Sequence, residues 1–171
     1  MTVNQAEYAR LFEPLFTVAQ ISNASDVNVH TIRQWYKRGK LELGEHDRGA
    51  ASKGHARHLS GATAMMIAIM GVLITFDVKP DIAEAAARKF VHAGDDCRKP
   101  CCLFPDGETY LVLGKEHASI MNSTANTLLQ ETLNLYRRSL QSKHGLRFFP
   151  MDELVITVGE LLGFDRKIFW G

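Results

Sequence analysis

Residues 28–58, NVHTIRQWYKRGKLELGEHDRGAASKGHARH, decide how this chain is read. Asn28 is suited to cap a helix, because its side-chain oxygen can accept one of the backbone N–H groups that a first turn leaves unpaired. Ile32 and Trp35 follow at the spacing of a buried stripe, and Gly39 supplies the stop. Lys40 to Gly44 then alternates in polarity, as a strand does. Gly49, Ala50, Ala51, Ser52 and Gly54 make a flexible tip, and Ala56 to Leu59 returns as a second strand. Upstream, Thr17 caps a shorter helix whose Val18 and Ile21 face inward. The pattern is helix, turn, helix, then a β-wing.

The charge of the chain is concentrated on this segment. Residues 28–58 hold seven Lys or Arg (Arg33, Lys37, Arg38, Lys40, Arg48, Lys53, Arg57) against three acids, an excess of four, while the whole chain carries only +1. His46, His55 and His58 lie in the same stretch. Basic charge gathered on one short segment is the footprint of a surface that meets a polyanion. The second helix fits the major groove of duplex DNA, which admits one α-helix. With Ile32 and Trp35 turned inward, His30, Thr31, Arg33, Gln34 and Lys37 take the outer arcs. Arg33 and Gln34 are the types that read guanine and adenine edges in bidentate fashion. Lys37, Arg38 and Lys40 suit phosphates, which position a protein without specifying sequence. Arg48, Lys53, His55 and Arg57 on the wing are placed to reach the flanking backbone or minor groove.

At these residues the chain resembles the MerR-type winged helix-turn-helix, and within it the shorter excisionase/BldC-like branch. The resemblance rests on VAQIS, on the step Asp26-Val27-Asn28-Val29, and on Thr31, Ile32 and Trp35 of the second helix. Gly39-Lys40-Leu41 and the return Gly54-His55-Ala56-Arg57 complete it. It spans about residues 16–92. Asp26 stands where that family often has glycine, and the wing tip, Glu45 to Lys53, is long. The resemblance implies a DNA-binding regulator or recombination factor acting as a dimer or cooperative array.

The rest of the chain sets the fold expectation. Tyr8, Leu11 and Phe12 mark a leading helix that Pro14 ends. Ser60 caps an apolar helix over 61–76, whose apolar run from Ala62 to Phe76, at 15 residues, falls short of the roughly 20 needed to cross a bilayer. Its lack of a polar stripe calls for cover on every side, from the C-terminal half or from a second protomer. Pro80 opens a further helix, with Ile82, Ala86 and Phe90 on one side. A polar junction at 95–100 suggests a boundary, giving a DNA-binding domain over 1–94 and an oligomerisation or regulatory domain over 95–171. In the latter, 101–104 and 109–113 read as a β-hairpin about the turn 105–108. Residues 118–121 read as a third strand, 125–140 as an amphipathic helix, and Pro150 to Leu162 as a last helix halted by Gly163. Phe164, Ile168, Phe169 and Trp170 are expected to fold back on the core. The expected class is α+β.

Three cysteines, no signal peptide and no lipidation motif fit a reducing, cytoplasmic, nucleoid-associated setting. Cys97, Cys101 and Cys102, with His92, Asp95 and Asp96 nearby, offer soft metal ligands. Without a C-x-x-C or a second ligand cluster, small core residues is the better reading, and no metal or other cofactor is assigned. No nucleophile–base pair, phosphate-binding glycine loop or paired-carboxylate motif indicates an enzyme. The expectation is a transcriptional regulator that binds double-stranded DNA as a homo-oligomer, dimer favoured, away from membranes. The alternatives are an architectural or packaging factor, of excisionase or phage terminase small-subunit type, and a ligand- or metal-responsive sensor.

Overall fold

The computed structural model describes residues 5–50, 56–114, 118–122 and 146–170. Helix α1, Gln5–Arg10, ends before Pro14, which instead opens strand β1, Pro14–Thr17. Leu11 is buried at the turn between them, so the chain leaves the helix to sink that side chain. Thr17 caps α2, Val18–Ser25, through a reciprocal pair: Gln20 N–H donates to Thr17 Oγ1 at 3.3 Å, and Thr17 N–H donates to Gln20 Oε1 at 2.9 Å. Helix α2 stops at Asp26, which adopts the left-handed conformation at φ 55°. Aspartate tolerates that region better than most residues. Asn28 then caps α3, Val29–Lys37, accepting the His30 N–H at 2.8 Å. Gly39, at φ 63°, turns the chain away at its end.

Residues 40–44, expected as an alternating strand, form none. Leu41 is buried and its N–H and that of Lys40 both donate to the Trp35 carbonyl, so this segment wraps the end of α3. The returning strand β2, His58–Ser60, pairs antiparallel with β1, setting Thr17 opposite His58 and Phe16 opposite Leu59. Among the described residues, the backbone pairing between 40–50 and β2 is a single bridge at Arg48 and His58.

Helix α4, Gly61–Thr75, is the centre of the molecule. Ser60 Oγ accepts the Thr63 N–H at 3.1 Å, and every residue from Gly61 to Met70 is buried. Helix α2 packs on it from one side, α5 (Pro80–His92) from another, and α6 (Asp152–Leu161) from a third. Cover from the C-terminal half is therefore present within one chain. On α5 the inward face is Ala83, Ala86, Ala87, Phe90 and Val91, whereas Ile82, expected inward, is 38% exposed. The small alanines let α5 lie close to α4, and the buried stripe centres on them, which leaves Ile82 at its rim.

The expected hairpin between 101–104 and 109–113 is corrected. Cys101, Cys102, Leu103 and Phe104 are all buried, so the segment lacks the two-faced alternation of a strand beside solvent. Cys101 sits at φ 61°, and Leu103 N–H donates to the Phe169 carbonyl at 2.6 Å. Strand β3, Thr109–Leu113, instead pairs antiparallel with β4, Ala118–Asn122, on one side and with β5, Arg147–Pro150, on the other. Residues 125–140 lie outside the described residues. Pro150 closes β5 rather than opening the last helix, which starts at Asp152. Gly163, at φ 82°, ends α6, and a 3-10 turn, Arg166–Phe169, brings Ile168 and Phe169 into the core beside Phe164.

The fold is thus α+β with two small antiparallel sheets. Buried side chains from before and after residue 94 join in one apolar cluster. Arg98, 2% exposed, is held at this join by backbone carbonyls. Its guanidinium donates to the carbonyls of Phe90, Ala93, Lys99 and Cys102 and lies 5.0 Å from the Phe90 ring centre. A cation there satisfies carbonyls that the end of α5 leaves free. Among the described residues no helix is long and apolar enough to cross a membrane.

Candidate nucleic-acid interface

Helix α3 is amphipathic in the sense that matters here. Ile32 and Trp35 are buried against the core, and with about 3.6 residues per turn the direction opposite them is shared by His30, Arg33, Gln34 and Lys37. His30, Arg33 and Lys37 are exposed, and Gln34 is half-buried. The Gln34 amide nitrogen lies 3.4 Å from His30 Nε2, so these two polar groups share one turn of the surface. Thr31, half-buried, and Arg38, exposed, stand on the flank. Asn28 is committed to its capping bond, which leaves the helix start fixed.

The other basic residues divide. Lys40 Nζ lies 2.5 Å from Asp81 Oδ1, at the start of α5, so its charge is already matched. Arg48 is exposed, with its backbone paired to His58 by bonds of 2.8 and 3.1 Å. Arg57 is exposed and its guanidinium carbon lies 4.9 Å from the ring centre of Tyr36. That contact leans the returning segment against α3, and puts the Arg57 charge beside the helix. Lys53 and His55 lie outside the described residues.

The Tyr36 hydroxyl is buried and has no hydrogen-bond partner among the described residues. Burial, and then the nearby Asp47 carboxylate, push its proton loss well above the ordinary tyrosine range, with Arg57 working the other way. Tyr36 is therefore a neutral platform for Arg57.

Sequence reasoning missed three groups: Asp81, which neutralises Lys40, Tyr36, which seats Arg57, and Asp47. The Asp47 carboxylate accepts from Gly44 N–H at 2.8 Å, Ser60 N–H at 2.7 Å and the Thr63 hydroxyl at 2.8 Å. Its only signal in the sequence was an aspartate between two glycines in a turn-rich stretch. Its partners were legible only as a helix cap.

The cysteines are separated by environment. Cys97 is exposed, while Cys101 and Cys102 are buried. Burial raises both buried thiols, Cys102 to about 11. Among the described residues no group of three or more His, Cys, Asp or Glu is arranged to hold a metal ion. Compared with known proteins, the chain matches no family model, and no curated protein sequence aligns with it significantly.

Proposed function

We propose that the chain is a sequence-specific double-stranded DNA-binding regulator, in which α2, the turn at 26–28, α3 and the loop to residue 60 act as a winged helix-turn-helix of MerR type. The observation that carries this reading is the outward face of α3: His30, Arg33, Gln34 and Lys37 lie opposite buried Ile32 and Trp35. In this reading α3 enters the major groove. Arg33 and Gln34 read base edges, while Lys37, Arg38, Arg48 and Arg57 meet phosphates. Lys40 contributes less, because Asp81 already holds it. A two-fold dimer would set its recognition helices about 34 Å apart on the duplex.

The test is selection of binding sites from random duplex with the full-length protein, followed by mobility shifts across salt. Arg33→Ala is expected to remove about 1–3 kcal/mol of discrimination at one base position. Arg57→Ala is expected to weaken all sequences alike and to flatten the salt slope by about one unit. An Arg33→Ala protein with unchanged site preference would remove α3 from the reading position. A promoter-free pattern of stacked binding along direct repeats would favour the architectural or packaging role instead.

A further inference from the structure

We propose that Asp47 positions the wing, setting where the cationic side chains that flank α3 stand relative to a duplex. The inference rests on the DNA-binding reading and assigns within it a role to a residue that carries the wrong charge for touching DNA.

The described parts of the loop, 41–50 and 56–57, have little regular pairing, so something other than a β-ladder must fix them. Asp47 does so through three bonds to three different parts of the chain. Oδ2 accepts from Gly44 N–H at the loop's start and from Thr63 Oγ1 in the first turn of α4, both at 2.8 Å. Oδ1 accepts from Ser60 N–H, at the loop's end, at 2.7 Å. Ser60 and Thr63 are both 3% exposed, so these two donors are shielded from water. The packing is close: a Cβ on Gly44 would stand 3.3 Å from both Asp47 Oδ2 and Thr63 Oγ1. Arg48, the next residue, exchanges backbone bonds with His58, and His58 pairs with Thr17, the cap of α2. Arg57 precedes His58 and rests on Tyr36 of α3. The carboxylate thus ties the start of the loop to β2 and to the first turn of α4, from the residue before Arg48 to a residue shortly after Arg57.

The chemistry calls for a carboxylate. Two oxygens offer enough lone pairs for three donors, whereas an amide would turn an NH2 group toward one or two of them. Asp47→Asn therefore keeps the size but sets donors against donors. Either the half-buried N–H of Gly44 or the buried N–H of Ser60, whichever the amide nitrogen faces, then loses its partner.

The experiment combines backbone hydrogen exchange, which needs no DNA, with mobility shifts of the full chain on its selected site and on a scrambled duplex. For Asp47→Asn, exchange at Gly44 or at Ser60, whichever N–H faces the amide nitrogen, is expected to rise about tenfold, the loss of one net hydrogen bond. Affinity for both duplexes is expected to fall about equally, and the salt slope to flatten by roughly one to two units as Arg48 and Arg57 lose register. Preference for the selected site over the scrambled one is expected to persist, because α3 still reads it. Thr63→Val removes one donor and keeps the shape. It is expected to move affinity and slope in the same direction by less, which keeps the test decisive if Asp47→Asn folds poorly. Faster exchange with unchanged affinity and slope in both variants overturns the positioning role while leaving the DNA reading intact. Loss of discrimination along with affinity also overturns it, since the lesion would then have reached α3. A wild-type chain that binds no duplex defeats the DNA reading itself, and this inference with it.

Discussion

Gly71→Ala is the substitution whose outcome the packing constrains most tightly. Gly71 lies inside α4 and faces the turn between α2 and α3. A Cβ there would stand 2.4 Å from Val27 Cγ2, roughly 1 Å inside an ordinary carbon contact. Two terms oppose each other. Alanine in a helix interior is better than glycine by about 1 kcal/mol. Overpacking a closed core costs about 1–3 kcal/mol, and this case sits toward the upper end. Val27 is stiff at χ1 and only 8% exposed, so its methyl has little room to swing away. The expected result is a net loss of about 1–2 kcal/mol, a fall in Tm of about 4 °C for a chain of this size.

A double-mutant cycle sharpens this. Val27→Ala alone deletes two buried methyl groups and costs about 2 kcal/mol. In that background the offending atom is gone, and Val27 Cβ, at 3.9 Å, is an ordinary neighbour. Gly71→Ala should then stabilise by about 0.5–1 kcal/mol, reversing its sign. Urea unfolding of the four proteins, followed by circular dichroism, measures each arm. A Gly71→Ala change that is stabilising in the wild type, or equally harmful in both backgrounds, would falsify the contact. Because Val27 directly precedes Asn28, the cap of α3, the single variant also tests whether tilting that helix blurs site preference.

Two further outcomes follow from the charge and thiol environments. Asp81→Asn releases Lys40 from an ion pair whose partners are 39% and 72% exposed, so folding stability should change by less than about 1 kcal/mol. Duplex affinity should rise about two- to fivefold at low salt, with a steeper salt slope. Unchanged affinity in a mobility shift would place Lys40 away from the phosphates. Of the three cysteines, only exposed Cys97 should react with iodoacetamide at pH 8 under native conditions, and all three should react in denaturant. The raised Cys102 thiol, at about 11, holds little thiolate at that pH. Rapid native labelling of a second cysteine, read by intact mass, would show that the 101–104 segment opens readily.

Local chemistry made much of the chain readable without coordinates. Thr17, Asn28 and Ser60 each sit where a side-chain oxygen can take an otherwise unpaired N–H, and each does so. Gly39 and Gly163 end helices at positive φ, as their lack of a Cβ allows. The inward placement of Ile32 and Trp35 followed from helical spacing alone, and with it the outward arc that holds Arg33 and Lys37. These features depend on contacts within a few residues, so the sequence carries them directly.

Pairing between distant segments was another matter. Residues 40–44 alternate like a strand, yet they wrap the end of α3, because burying Leu41 outweighs a ladder that lacks a nearby partner. Strand β2 found β1, more than 40 positions earlier in the chain, and β3 found β4 and β5 rather than 101–104. Asp47, Asp81 and Tyr36 show the same limit at the candidate interface. Their roles come from Thr63, Lys40 and Arg57, which are brought beside them only when α4 and α5 close over the helix pair. Helix caps, stops and faces were written in the order of residues, since a few bonds along the chain suffice to set them. Which strands would meet, and which charges would be left free, depended on the competition for burial across the whole molecule.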